Sequence, residues 1–256
     1  MEITFLGTGT SQGIPVICCD CKVCLSGNEK DKRTRTSLFV DTGSEKIVVD
    51  VGPDFRQQML REKITHLDGV LITHEHNDHV VGLDDIRPYY FKESKPLSFY
   101  MRDHVKKEII NRFPYVFSAS QYPGVPRINI HEIIPYQSFQ MGATIILPLP
   151  VQHGQMEVMA FRWNHFLYIT DASYIPEKSL SAMKGIDTMV INALRHQSHY
   201  SHFSLSQALQ IIDIIQPKTA YLTHISHYLG LHIETSATLP PSIHLAYDGL
   251  KITVND

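Results

Sequence analysis

The chain has 256 residues, of which 43% are hydrophobic and 19% charged, enough apolar material for a sizeable core and too much for a disordered chain. Lysine and arginine number 23 against 26 acidic residues, a net charge of −3, which excludes a broad cationic footprint for nucleic acid or an anionic membrane. Its longest apolar runs, such as residues 144–151, are short and broken by proline, so no membrane span is expected. The opening residues place no basic region ahead of an apolar stretch, which gives the expectation of no signal peptide and a cytoplasmic location.

In chain order, the apolar, β-branched runs at residues 3–6, 38–40 and 47–51 read as buried strands. Gly52-Pro53 then opens a helix expected over residues 54–63, with Asp54 as its cap. A strand over 70–73 is followed by a helix over 103–113, started by an Asp N-cap, and residues 118–127 (SASQYPGVPR) read as a surface loop. Further strands are expected at 144–147, 158–161, 166–170, 188–191 and 219–223. Ser204-Leu205-Ser206-Gln207 has the spacing of a capping box and opens a helix over 208–215 that stops before Pro217. Strand and helix segments mix throughout with no long linker and no repeat, the pattern of one α/β domain over residues 1–256.

The 15 histidines and the crowding of all four cysteines between Cys18 and Cys24 point to metal chemistry. Thr73-His74-Glu75-His76-Asn77-Asp78-His79 puts four potential ligands, His74, His76, Asp78 and His79, within six positions, directly after an expected strand. A loop leaving a strand end can turn several imidazoles onto one centre, and imidazole with carboxylate suits zinc, manganese or iron. Cysteines this close cannot staple distant parts of a fold. Cys19, Cys21 and Cys24 fit three thiolates of a structural metal lacking a fourth donor, while Cys21-x-x-Cys24 leaves a redox pair open. The glycines of residues 7–13 do not make a dinucleotide loop, because Gln12 stands where G-x-G-x-x-G needs its third glycine.

The 73–79 string resembles the HxHxDH signature of the metallo-β-lactamase superfamily. That resemblance implies an α/β fold, an αββα sandwich of two mixed sheets flanked by helices. It also implies that His74, His76 and His153 hold one divalent metal, zinc or manganese, and that Asp78, His79 and His224 hold a second, with Asp171 bridging. Asp50, in Val48-Val49-Asp50-Val51-Gly52, is similar to the family's aspartate that orients a ligand from behind. Two metals sharing a water lower its pKa to make hydroxide and stabilise charge on the attacking and leaving oxygens. Asp78 and Asp171 would thus serve the chemistry as well as the metals.

The segment from Gly7-Thr8-Gly9 through Cys24 is similar to the PhnP-like phosphodiesterases, which act on 5-phosphoribosyl 1,2-cyclic phosphate in phosphonate breakdown. By that resemblance Cys19, Cys21, Cys24 and His227 hold a structural zinc. His202 matches the active-site histidine that protonates the leaving oxygen or stabilises the phosphorane-like transition state. His196 and His199 read as loop residues or substrate contacts, His66 as structural, and Arg33 and Arg35 as either a phosphate clamp or a solvated charge run. The likeness is firm at residues 5–24, 69–82, 147–153, 168–180 and 219–227 and weak over 84–140. It implies hydrolysis of a small cyclic phosphate or other phosphodiester, a homodimer, and neither extended nucleic acid nor membrane as partner. The alternatives are a ribonuclease Z-like nuclease, which would need a basic arm absent here, and a non-catalytic carrier like the pyrroloquinoline quinone biosynthesis members, whose histidine signature is altered. Glyoxalase II-type thioesterases and true β-lactamases lack the cysteine cluster.

Overall fold

A computed structural model describes residues 1–118 and 123–254. Its first half carries strands β1 (Glu2–Gly7), β2 (Ser37–Asp41), β3 (Lys46–Val49), β4 (Gly69–Leu71), β5 (Leu97–Met101) and β6 (Ile128–Glu132). Between them lie helices α1 (Phe55–Glu62), α2 (Asn77–Val80), α3 (Arg87–Glu93), α4 (Asp103–Arg112) and α5 (Pro114–Phe117). The second half carries β7 (Phe139–Met141), β8 (Thr144–His153), β9 (Met156–Trp163), β10 (Phe166–Tyr168), β11 (Thr188–Asn192), β12 (Thr219–Thr223) and β13 (Ile243–Leu245), with helices α6 (Glu177–Ala182), α7 (Leu205–Ile215) and α8 (His232–Ser236). Strand β14 (Lys251–Thr253) returns to the first sheet.

The strands form two sheets, ordered β14-β1-β2-β3-β4-β5-β6 and β13-β12-β11-β10-β9-β8-β7. Each is antiparallel on one side and parallel on the other: β3 to β6 run parallel in the first, β10 to β13 in the second. Period-two alternation sorts the side chains. Ile3, Phe5, Leu38, Val40, Ile47 and Val49 point to a core shared with Phe161, Phe166, Tyr168 and Val190 of the other sheet. Val48, Val70 and Phe99 point the other way, onto α1, α3, α4 and α5. Leu149, Val151, Leu167 and Ile191 likewise face α7, whose Leu205, Ala208, Ile212 and Ile215 recur at helical spacing. The result is the expected helix–sheet–sheet–helix order, and no helix among the described residues is long and apolar enough to cross a membrane.

Several local expectations are corrected. The strand expected at 144–147 continues to His153 through Pro148 and Pro150. Both prolines face away from β9: Pro148 O accepts from Tyr136 N–H and Pro150 O from the Ser179 hydroxyl, so the missing N–H groups point to a side with no ladder to break. Asp54 does not cap α1; its carboxylate accepts instead from Arg35, through both the backbone N–H and the guanidinium. Asp103 lies inside α4, after Arg102, and pairs with Lys107. The capping box at Ser204 and Gln207 is present, with the helix starting at Leu205. Of the loop expected at 118–127, residues 119–122 lie outside the described residues, and 123–127 carry no helix or strand.

Candidate active site and metal centres

Parallel strands all end on the same edge of a sheet, so residues just past their C-termini converge. Here β3 delivers Asp50, β4 the 73–79 segment, β10 Asp171, β11 the loop to Ser204, and β12 His224, while His153 is the last residue of β8. Three of these residues, Asp50, Asp171 and His224, are left-handed, with φ of 64°, 52° and 54°. The signature segment is pressed close to the preceding turn: a Cβ on Gly52 would stand 2.1 Å from Asp78 O, and one on Gly82 would stand 2.1 Å from Gly52 O.

Asp171 is buried at the centre. Its Oδ2 lies 3.4 Å from His79 Nε2, 3.5 Å from His202 Nε2 and 3.7 Å from His74 Nε2, and its Oδ1 lies 2.9 Å from His224 Nδ1. Two donor groups share it: His74, His76 and His153 on one side, and Asp78, His79 and His224 on the other, each with its ligand atoms within 4.8 Å of one another. Behind His79, the fully buried Asp50 accepts from His79 Nδ1 at 2.7 Å and from the N–H and hydroxyl of Thr73, both at 2.8 Å. That fixes the imidazole with Nε2 turned into the site. His153 Nδ1 is held in the same way by Ser201 O at 2.6 Å.

These residues fit a pair of divalent cations. His79 Nε2 and His224 Nδ1 are buried without a well-formed hydrogen bond and face only carboxylates, Asp78 and Asp171 for the first and Asp171 for the second, as expected of nitrogens turned toward a cation. Burial holds His74 and His153 below the ordinary histidine range, keeping lone pairs free. Burial also opposes ionisation of Asp171 and Asp78, but neighbouring imidazoles (His224 and His79 for the first, His79 for the second) outweigh it, and both carboxyls lie below their usual range. The carboxylates of Asp171, Asp78 and Asp50 in turn outweigh burial and raise His79 well above its ordinary range, so a metal binding there would displace the His79 proton.

The cysteine cluster forms a second centre. Sγ of Cys19, Cys21 and Cys24 lie 3.3, 3.5 and 3.4 Å from His227 Nδ1. A tetrahedral ion with Zn–S of about 2.3 Å and Zn–N of about 2.0 Å has an S···N edge of about 3.5 Å, so the cradle is close to zinc dimensions. Cys18 is exposed and outside this group.

Above the metal groups lies a cavity of about 350 Å³ lined also by Ser11, Asn77, His199, Tyr200, Ser201 and His202. The His202 ring stacks on His224, with centroids 4.8 Å apart at 14°. Its Nδ1 meets the Ser201 hydroxyl at 3.1 Å and His199 Nδ1 at 3.2 Å, while Nε2 faces Asp171 Oδ2 at 3.5 Å without a well-formed hydrogen bond. Burial pulls His202 down to about 4.

Other expected residues are elsewhere. Arg33 is buried, donating to the Thr8 hydroxyl, Ala246 O and His232 Nδ1, and Arg35 is engaged with Asp54 and Ser11 O, so neither is a free phosphate clamp or a solvated charge run. His196 is bonded to Leu229 O, and His66 is held between Asp68 and Glu93. Sequence reasoning missed Ser201, which touches three of the histidines; Thr10, whose hydroxyl meets His224 Nε2 at 3.1 Å; and Arg112 of α4, which donates to Glu75 O and the Asn77 side chain. The place of Ser201 in the histidine-rich segment 195–202 was the sequence hint of the first.

A family model described as a beta-lactamase superfamily domain matches residues 45–225. The fold superposes on a structure described as a new diphosphatase from the PhnP family with a TM-score of 0.92 and 35% identity, covering 99% of this chain and 98% of that one. Zinc-bound PqqB of Methylobacterium extorquens shares the fold, with a TM-score of 0.80 at 17% identity over 99% and 100% of the two chains. In sequence, the chain is 39% identical over 258 residues to an octanoyltransferase of Porphyromonas gingivalis, matching 100% of this chain and 52% of that protein. The chain thus spans about half the length of the curated relatives it matches.

Proposed function

This chain belongs to the metallo-β-lactamase superfamily and, within it, to the PhnP family; on that premise we propose that it is a metal-dependent hydrolase and that the bond it cleaves is a phosphodiester. The observation that carries the reading is the pair of donor groups sharing Asp171 beneath a cavity that His202 lines. His74, His76, His153 and Asp171 would hold one divalent cation, zinc or manganese, and Asp78, His79, His224 and Asp171 the other. Cations bound there would supply a nucleophile from water at neutral pH and neutralise charge on the phosphate oxygens. Asp50 and Ser201 O keep His79 and His153 in the tautomers that offer Nε2. Burial pulls His202 down to about 4, which favours its neutral form. The charge of a bound phosphodiester favours its protonated form, and Nε2 is the atom placed to pass a proton to the departing oxygen. At the cysteine cradle a zinc would tie the 18–24 loop to the segment after β12.

The test is turnover of bis(p-nitrophenyl) phosphate by metal-stripped protein reloaded with manganese or zinc, beside Asp78→Ala. Metal-dependent turnover that disappears in the variant, together with the loss of about one bound metal, is the expected result. Absence of turnover with either metal overturns the phosphodiesterase reading.

A further inference from the structure

Two features of the cavity mouth bear on what it accepts. Tyr200 is 84% exposed although it lines the cavity. Its ring is propped rather than free: it lies against the His199 ring, with centroids 4.8 Å apart at 36°, and beside Gly154, where a Cβ would stand 3.6 Å from two of its carbons. Leaving an aromatic face this open to water forgoes the burial that usually holds such a side chain in place. The second feature is charge. Among the described residues lining the cavity there is no lysine or arginine. Arg35, which reaches Ser11 O, is paired with Asp54, and Arg195 at the start of the loop donates to Gln197 O and Ser198 O. Burial lowers His199 from the ordinary histidine range. A phosphate lying away from the two donor groups would find no lysine or arginine among the described lining residues.

We propose that Tyr200, backed by His199 and Gly154, is a stacking platform for a planar base, so that the substrate is a nucleoside phosphodiester with one phosphate rather than a sugar phosphate carrying a second. This deepens the phosphodiesterase reading and rests on it. Aromatic stacking tolerates any base, because every base presents a π-face. A cavity of about 350 Å³ is at the small end of ligand sites, roughly 300–1,000 Å³, and suits one nucleoside phosphate.

The experiment compares two substrates with the same scissile group, the methyl phosphodiesters of adenosine 5′-phosphate and of ribose 5-phosphate, using the metal-loaded enzyme. The adenosine ester is expected to have a KM lower by roughly 5- to 150-fold, the factor that stacking one base on an aromatic ring contributes. Tyr200→Ala should bring the two esters to the same KM, and Tyr200→Phe should keep the preference. Calorimetric binding of AMP against ribose 5-phosphate to the same three proteins reads the platform without catalysis. Equal KM values or equal affinities in the wild type, or a preference surviving in Tyr200→Ala, overturn the inference. If neither ester is hydrolysed but AMP binding depends on Tyr200, the phosphodiesterase reading falls and the platform stands.

Discussion

Replacing Asp50 by Asn tests how a ligand is held from behind while changing almost no volume. The carboxylate accepts three hydrogen bonds in a fully buried pocket, from Thr73 N–H, the Thr73 hydroxyl and His79 Nδ1. An asparagine can keep its oxygen on the Thr73 N–H, and its NH₂ can be accepted by the Thr73 hydroxyl. The same NH₂ then faces His79 Nδ1, which can satisfy it only by giving up its own proton. The proton moves to Nε2, the atom turned toward Asp78 at 3.2 Å and Asp171 at 3.4 Å, and a protonated nitrogen cannot ligate. Losing such an outer partner typically costs about 10- to 100-fold in metal affinity, or about 1.4–2.7 kcal/mol. Competition with a chromophoric chelator should show this weakening for one of two ions, with circular dichroism in EDTA unchanged. Two ions bound as tightly as by the wild type would refute the tautomer argument.

The remaining expectations concern stability. Cys21→Ser should lose one equivalent of zinc by elemental analysis and lower the melting temperature; a variant that keeps its zinc and its Tm removes the structural ion. Glu45, between sheet edges, is held down to about 2 chiefly by hydrogen bonds from the Ser44 and Thr144 hydroxyls. Because its folded pKa is depressed, its stabilisation is complete above the unfolded value of 4.5 and is lost as pH falls toward about 2. Urea midpoints of wild type and Glu45→Gln should therefore converge between pH 6 and pH 3; a constant gap contradicts the assignment.

What could be read beforehand divides along physical lines. Continuous apolar runs such as those of β3 and β11 are recognisable because parallel strands are buried on both faces. Strand β5 alternates buried and half-buried residues, β6 is a mostly exposed edge, and β7, β13 and β14 have three residues each, too few for a period to show. The 73–79 segment declares itself because four ligands are local in sequence. His153, Asp171, His224 and His227 are single residues after strands and were reachable only through family resemblance; the structure brings them together because the strand ends converge. Asp54 and Asp103 misled because a capping side chain can be drawn away by a stronger partner, here Arg35 and Lys107.

The left-handed backbone at Asp50, Asp171 and His224 sets the fold against its own chemistry. A non-glycine residue there costs on the order of 1 kcal/mol or more, and glycine would relieve it. A directed-evolution campaign scored on the thermostability of metal-free protein would be drawn toward glycine at Asp171 and His224, at the expense of the donor groups they complete, whereas glycine at Asp50 would forfeit three buried hydrogen bonds. Any stabilisation of this scaffold for practical use has to hold those positions fixed and look for its gains elsewhere.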